Sequence, residues 1–359
     1  MKFLVDCCEY AGMAELVDAH DSKSCGVIHG SSILPPGTFF MTTKPKPLLL
    51  VILGPTAVGK SSLAVTVAEW ITDKKVANYS GAEIVSADSR QVYKGLDIGT
   101  GKITTEEMHG IPHHLLDVAD PHMRFTAIQW KVLAEKAVSD IDSRGKLPII
   151  CGGTGFYIST LIDNLGFPDV AADTDEQSKL ELKSAEELFL ELKKIDPERA
   201  STIDPKNKRR LARAIIIANA LGSVPPISAP SEKPYDVCMI GIKLPDNVLR
   251  EKIHARLIQR INAGMIDEAK RLHQGSNSPA NDPLSYERLD ELGLEYRYLS
   301  LLLQEKITRE EMVEKLTSKI WQYAKRQMTW FKRDQRITWF DPTDLQGIFR
   351  YLSSWSNSM

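Results

Sequence analysis

An α/β fold is predicted, a parallel sheet flanked by helices with a helical insertion and a helical C-terminal region, on three observations. Short, wholly apolar runs alternate with amphipathic stretches of helical period, the pattern of a parallel sheet covered on both faces. The first run, LLLVIL (48–53), leads into a glycine loop, GPTAVGKS (54–61), that opens a helix. The chain has 359 residues, 43% of them apolar and 26% charged, enough to bury one large core or two modest ones.

Each element follows in order. LLLVIL has no polar position, as expected of a strand buried on both faces, and SSLAVTVAEWITD after the loop reads as helix. AEIVSAD (82–88) and LPIICGG (147–153) read as the second and third strands, with an amphipathic helix from about Thr126 to Asp142 before the third. VCMIGIKL (237–244) is the fourth. The stretch from about 173 to 222, rich in Glu, Lys and Leu, is longer than an ordinary crossover and reads as an inserted helical subdomain able to move relative to the sheet. Pro245 and Asp246 open a long helix whose Leu249, Ile253, Leu257 and Ile261 recur every four residues. A last helix begins at Thr308, which has capping-box spacing to Glu311; Ile320, Ala324, Gln327 and Phe331 mark its core face.

The loop matches G-x-x-x-x-G-K-[ST] in the context that confirms a P-loop, after a strand and before a helix. Gly54 and Gly59 let the backbone turn its amides inward across Pro55, Thr56, Ala57 and Val58, Lys60 adds a full positive charge, and Ser61 is placed to hold Mg2+. The expected architecture is therefore P-loop NTPase-like, and a nucleoside triphosphate is the usual occupant of such a site. The second strand runs into SADSRQVYKGLDIGTGK (86–102), which puts Asp88 and Ser89 at the carboxyl edge of the sheet, where open α/β sheets keep their reactive groups. A kinase or ATPase would use a carboxylate there to hold magnesium or to activate a hydroxyl. IPHHLLDVADP (111–121) and CGGTGFY (151–157) follow, the latter presenting Thr154 on the same edge.

These four motifs, in this order and at these intervals, resemble the bacterial tRNA dimethylallyltransferase (isopentenyltransferase) family, and the resemblance runs from about 49 to 340. It implies transfer of a dimethylallyl group from dimethylallyl diphosphate to the exocyclic N6 amine of the adenosine 3′-adjacent to the tRNA anticodon. It also implies roles residue by residue. Asp88 would take the amine proton, while Lys60, the loop amides, magnesium at Ser61 and a distal arginine, Arg297 in GLEYRYLS, would stabilise the leaving diphosphate. Thr56, Ser61 and Thr154 would contact the prenyl diphosphate, with Ser89, Arg90 and Gln91 near the target base. The sequence departs from the pattern beside Arg297: the family places glycine before the Tyr-Arg pair, and here Glu295 stands there. An adenylate-type isopentenyltransferase, acting on free nucleotides, resembles the same N-terminal half but lacks Ser after the strand-ending Asp and the GGTG form of the third motif. A small-molecule kinase and a non-enzymatic NTPase switch leave the second and third motifs unexplained.

The net charge of −2 excludes a uniformly basic nucleic-acid binder, so RNA contact must come from patches. KNKRRLAR (206–213) carries Lys206, Lys208, Arg209, Arg210 and Arg213 with no acid, and resembles one tRNA-contacting helix of the family. AKRQMTWFKRD (324–334) resembles another, with Lys325 and Lys332, and Arg326 and Arg333, each seven apart on one face. His113, His114 and His122 do not make a zinc-ligand pattern, and the five cysteines form neither a disulfide framework nor a metal motif.

The domains expected are a non-core extension over 1–40, a P-loop catalytic core over 41–245, a helical tRNA-binding region over 246–340 and a C-terminal tail over 341–359. The phrase AELVDAHDSKSCGVIHGSSILPPG resembles the conceptual translation of a tRNA gene, and Met41 is a natural beginning. The apolar stretch at the start is too short for a secretory signal and no run is long enough to span a bilayer, so a cytoplasmic monomer is expected.

Overall fold

The computed structural model describes residues 46–168, 170, 174–226, 233–275 and 282–357. The expected extension over 1–40, the start at Met41 and the lower edge of the insertion at 173 lie outside the described residues. Among those residues, β1 (Leu48–Leu53) is the middle of a parallel sheet, with β4 (Leu147–Gly152) on one side and β5 (Asp236–Ile242) on the other. β2 (Ala82–Ser86) pairs with the far edge of β4, β3 (His113–His114) with β2, and β6 (Ile337–Phe340) with β5, so the order is β3-β2-β4-β1-β5-β6. The apolar run of β1 is explained by its place: residues Leu49 to Leu53 have no solvent exposure.

Two strands were not legible in the sequence. β3 is two residues long and β6 four, and neither carries an apolar run of strand length. β6 leads into α13 (Leu345–Asn357), whose Phe349 stacks on Trp70 with ring centroids 4.7 Å apart. The stretch expected to be a tail is thus part of the core.

Helices cover both faces. α1 (Lys60–Lys74) follows the glycine loop, and α2 (Ala127–Ser143) starts at a reciprocal Thr126–Gln129 capping box. Trp130 of α2 is fully buried; its indole donates to the Ser86 carbonyl at 2.9 Å and stacks on Tyr157 of α3 (Gly155–Ile162), fixing the end of β2 against β4. The insertion is four short helices: α4 (Thr174–Leu182), α5 (Ala185–Ile195), α6 (Pro197–Thr202) and α7 (Lys208–Leu221). They enclose an apolar cluster of their own around Leu188, Leu192, Leu211 and Ile215. After β5 come α8 (Asp246–Asn262), α9 (Met265–Gln274), α10 (Tyr286–Leu292), α11 (Leu294–Leu303) and α12 (Arg309–Phe331). The four-residue repeat of α8 is buried at Leu249, Ile253, Leu257 and Ile261, and α12 starts at the Thr308–Glu311 capping box. Both helices share the apolar core of the sheet.

One acid interrupts the apolar strand β2. Glu83, 2% exposed, accepts hydrogen bonds from Arg144 at 2.5 and 2.7 Å, Lys146 at 2.7 Å and His114 at 2.7 Å. The Arg144 bonds above all hold its carboxyl well below the ordinary value of 4.5, against the opposing effect of burial. Because the folded value is depressed, the stabilisation is complete above the unfolded value and is lost as pH falls towards the folded one. Glu83→Gln is expected to cost about 3 kcal/mol at neutral pH in denaturant titration. The gap in melting temperature between wild type and variant should narrow once pH drops below about 4, near the ordinary glutamate value.

Candidate functional site

A cavity of about 470 Å3 opens at the carboxyl edge of the sheet, where the loops after β1, β2 and β4 meet α8 and α12. The glycine loop forms its floor. Gly54 has φ of 151°, and a Cβ there would run into the Ile242 carbonyl of β5; Ala57 and Gly59 are left-handed, at 66° and 93°. No side chain caps α1, so its first amides remain open to an anion. Lys60 donates to the Pro55 carbonyl at 2.7 Å, and burial pushes its ammonium down to about 8. The Ser61 side chain is exposed and lines the cavity; with phosphate and water oxygens it fits the all-oxygen coordination that magnesium takes.

Asp88 faces this floor from the turn after β2. Its Oδ1 accepts from the amides of Arg90 at 2.8 Å and Gln91 at 3.3 Å, which fixes the carboxylate; Oδ2 has no hydrogen bond among the described residues. Thr154, at the start of α3, accepts from the Ser89 amide at 3.1 Å and donates its own amide to the Ala87 carbonyl, tying the turns after β2 and β4 together. Gln327 of α12 joins β4's loop to the glycine loop: it accepts from the Thr56 amide at 2.9 Å and donates to the Gly153 carbonyl at 2.8 Å.

The wall opposite is the DIGTGK turn, and a buried acid shapes it. Glu268 of α9, 2% exposed, accepts from the amides of Asp97, Ile98 and Gly99 at 2.7 to 3.0 Å and from the Tyr296 hydroxyl at 2.7 Å. This turns the carbonyls that follow outward to α8. Arg260 donates to the Gly99 and Thr100 carbonyls, while Arg256 and Gln91 both donate to Gly101. Arg256 lines the cavity, and burial, then Arg260 beside it, lowers its guanidinium to about 10.

The structure brings together most residues expected in the site. Thr56, Ala57, Gly59, Lys60, Ser61, Asp88 and Gln91 line the cavity. Gly54, Pro55 and Val58 support the loop from behind, Ser89 and Thr154 hold the turns at its rim, and Arg90 is exposed, its guanidinium near Gly293. Arg297 is outside. Its side chain is 52% exposed and paired with Asp290 at 2.6 Å. The neighbouring Tyr296 turns inward to Glu268, and one residue further along a helix is rotated by about 100° to the other face. Beside Lys60 and Lys102, the cavity lining carries Arg256 and Arg260, which the sequence does not mark because charged positions beside an apolar stripe ordinarily face solvent. Their one signal was four-residue spacing adjacent to Leu257 and Ile261. Gln327, expected on a core face, is buried there as a polar tie.

Of the expected RNA-contacting cations, Lys206, Arg209, Arg210, Lys325 and Arg326 are exposed. Arg209 lies 3.8 Å from Glu291, whereas Arg213 is half-buried and donates to the Val170 carbonyl at 2.6 Å. Lys325 sits over Trp321 and Arg326 over Tyr323, at 5.8 and 5.9 Å. His113, His114 and His122 bond separately to the Ile111 carbonyl, Glu83 and Asp120, and no three potential metal ligands converge among the described residues.

Fold and site together define a P-loop enzyme in which a polyphosphate cradle faces a fixed carboxylate across one cavity. The chain belongs to the IPP transferase family, whose model matches residues 91–334. It is 37% identical over 308 residues to the tRNA dimethylallyltransferase of Halalkalibacterium halodurans, covering 84% of this chain and 93% of that one. It is 40% identical over 307 residues to tRNA dimethylallyltransferase 1 of Syntrophus aciditrophicus, covering 84% and 95%. Among solved structures, the tRNA isopentenylpyrophosphate transferase of Bacillus halodurans superposes with a TM-score of 0.61 at 36% identity, covering 87% of this chain and 99% of that one. A eukaryotic dimethylallyltransferase captured acting on tRNA gives 0.68 at 25% identity, covering 84% and 75%.

Gln327→Ala leaves the Thr56 amide and the Gly153 carbonyl without their partner. It should lower global stability by about 2 kcal/mol. Amide exchange should quicken at 54–61 and 152–155 while the Glu268-held turn at 97–99 stays protected, which exchange mass spectrometry resolves.

Proposed function

We propose that this chain transfers the dimethylallyl group of dimethylallyl diphosphate to N6 of the adenosine 3′-adjacent to the tRNA anticodon, forming i6A. The observation that carries the reading is Asp88, fixed by two amides with one oxygen unbonded, facing Lys60 and Arg256 across a single cavity. An adenine amine is a weak nucleophile because its lone pair is delocalised into the ring, and it attacks only as its proton is removed. Asp88 takes that proton while the N6–carbon bond forms and the carbon–oxygen bond to the diphosphate breaks. The departing charge falls on the loop amides, Lys60 and Arg256. Desolvation has already lowered Lys60 to about 8, so a diphosphate beside it restores full protonation. Ser61 would hold magnesium, which would supply positive charge opposite the same leaving group. Thr154, Ser89, Arg90 and Gln91 border the side from which the base enters, and reaching Asp88 requires the base to leave its stack.

The anticodon stem-loop is the RNA partner in this reading, with Arg209, Arg210, Lys325 and Arg326 as its exposed cations and no membrane involved; among the described residues no helix is long and apolar enough to cross one. A monomer in the cytoplasm completes it. The adenylate-type and kinase alternatives do not account for relatives named tRNA dimethylallyltransferase that match most of the chain.

Purified chain with magnesium and labelled dimethylallyl diphosphate should label unmodified tRNA and leave adenosine monophosphate unlabelled; label in the mononucleotide alone, or ATP hydrolysis without label, overturns the reading. Asp88→Ala should fold normally and lose at least about a hundredfold in single-turnover rate. Changing Lys206 and Arg210 together to Ala should weaken tRNA binding about tenfold and lower its salt slope by about 2, with prenyl diphosphate affinity unaltered, in titrations across salt.

A further inference from the structure

Glu295 stands where the family pattern has glycine, and the structure gives it a partner. Its carboxylate, 16% exposed, lies 3.3 Å from Nη1 of Arg260, itself 12% exposed and on the cavity wall. The remaining bonds of Arg260 are weak. Its links to the Gly99 and Thr100 carbonyls are 3.3 and 3.2 Å, against about 2.8 Å for a good charge-assisted bond. Nε is buried with no partner among the described residues. A guanidinium held only by long bonds, with one donor unsatisfied, one helical turn from Arg256 and lining the same cavity, is placed to turn to an anion.

We propose that Arg260 is a second diphosphate-binding arginine, and that Glu295 is the counter-charge that competes for it and limits how tightly the diphosphate product is held. The inference rests on the reading that the cavity takes a diphosphate. Lys60, Arg256 and the loop amides already supply strong attraction, and an enzyme that holds its product as tightly as its transition state turns over slowly. A carboxylate behind one arginine makes that arginine's contribution conditional: it is gained only by breaking the Glu295 pair. Burial raises the carboxyl of Glu295 and Arg260 opposes this, consistent with a pair whose members depend on each other.

Titration of the full-length chain with magnesium pyrophosphate by calorimetry tests this. Glu295→Gln keeps the shape and removes the competing charge, so it should tighten pyrophosphate about tenfold. It should also strengthen product inhibition of prenyl transfer to match. Arg260→Met should weaken binding about tenfold, and Glu295→Gln added to it should do nothing further, because the partner through which it acts is gone. Misfolding or loosened packing lowers melting temperatures but cannot tighten a ligand. Unchanged or weaker binding in Glu295→Gln, or a tightening that survives in the Arg260→Met background, overturns the proposal. The same preparations are assayed for label transfer to tRNA. Wild type that labels tRNA with variants that bind pyrophosphate alike removes the Arg260 inference alone. Wild type that fails to label tRNA but shows the expected binding pattern removes the prenyl-transfer reading and leaves the Arg260 site standing.

Discussion

An anion cradle works only if its amides are left without protein partners, so the loops that form it cannot be held by the bonds that hold ordinary loops. In this chain α1 begins without a side-chain cap, and the glycine loop bends through left-handed residues towards open space. Gln327 resolves the conflict from outside. One amide group, on a helix more than 150 residues away in sequence, accepts from Thr56 and donates to Gly153, and so spaces the loops after β1 and β4 without filling the cavity between them. Glycine at 153 is required by the same contact, since a Cβ there would meet the Gln327 amide nitrogen.

The second wall follows the same logic with a charge in place of an amide. Three successive amides of the turn at 97–99 converge on Glu268, and the Tyr296 hydroxyl completes the shell. A buried carboxylate is tolerable only when so fully bonded. The geometry then points the next three carbonyls at α8, within long hydrogen-bond reach of Arg256 and Arg260 on one face. The C-terminal helices therefore shape the cavity: α8 provides cations, α9 and α11 shape the turn, and α12 locks the floor.

This division explains what could be read in the sequence. Strands β1, β2, β4 and β5 are apolar runs because they are buried on both faces, and the glycine loop and Asp88 are local patterns in fixed positions relative to those strands. Periodicity likewise revealed the buried stripes of α8 and α12. Strands β3 and β6 take their pairing from neighbours and carry no run of their own. Arg256, Arg260, Glu268 and Gln327 were illegible for a related reason. Their roles depend on tertiary contacts 155 to 271 residues distant, and a charged or amide residue beside an apolar stripe looks the same whether it meets solvent or a catalytic loop. Arg297 shows the converse error, because a motif match fixes sequence position but not the helix face, and Tyr296 takes the inward one.

The same constraint bears on why a nucleotide-binding cradle suits a leaving group. In nucleoside triphosphate chemistry the cradle holds phosphates while a bond between them breaks; here the bond that breaks would join the diphosphate to carbon, and the cradle receives the full charge of the departing group. Stabilisation is effective only where the donors are already oriented and dehydrated before the charge arrives. Lys60 meets both conditions, lowered to about 8 by burial and aimed by Pro55, and Arg256 meets the second, its guanidinium lowered to about 10 by burial. Groups so desolvated repel one another, which is why the acids nearby matter: Asp88 favours the charged state of Lys60 and Glu295 that of Arg256, and the attraction felt by a diphosphate is the balance that remains.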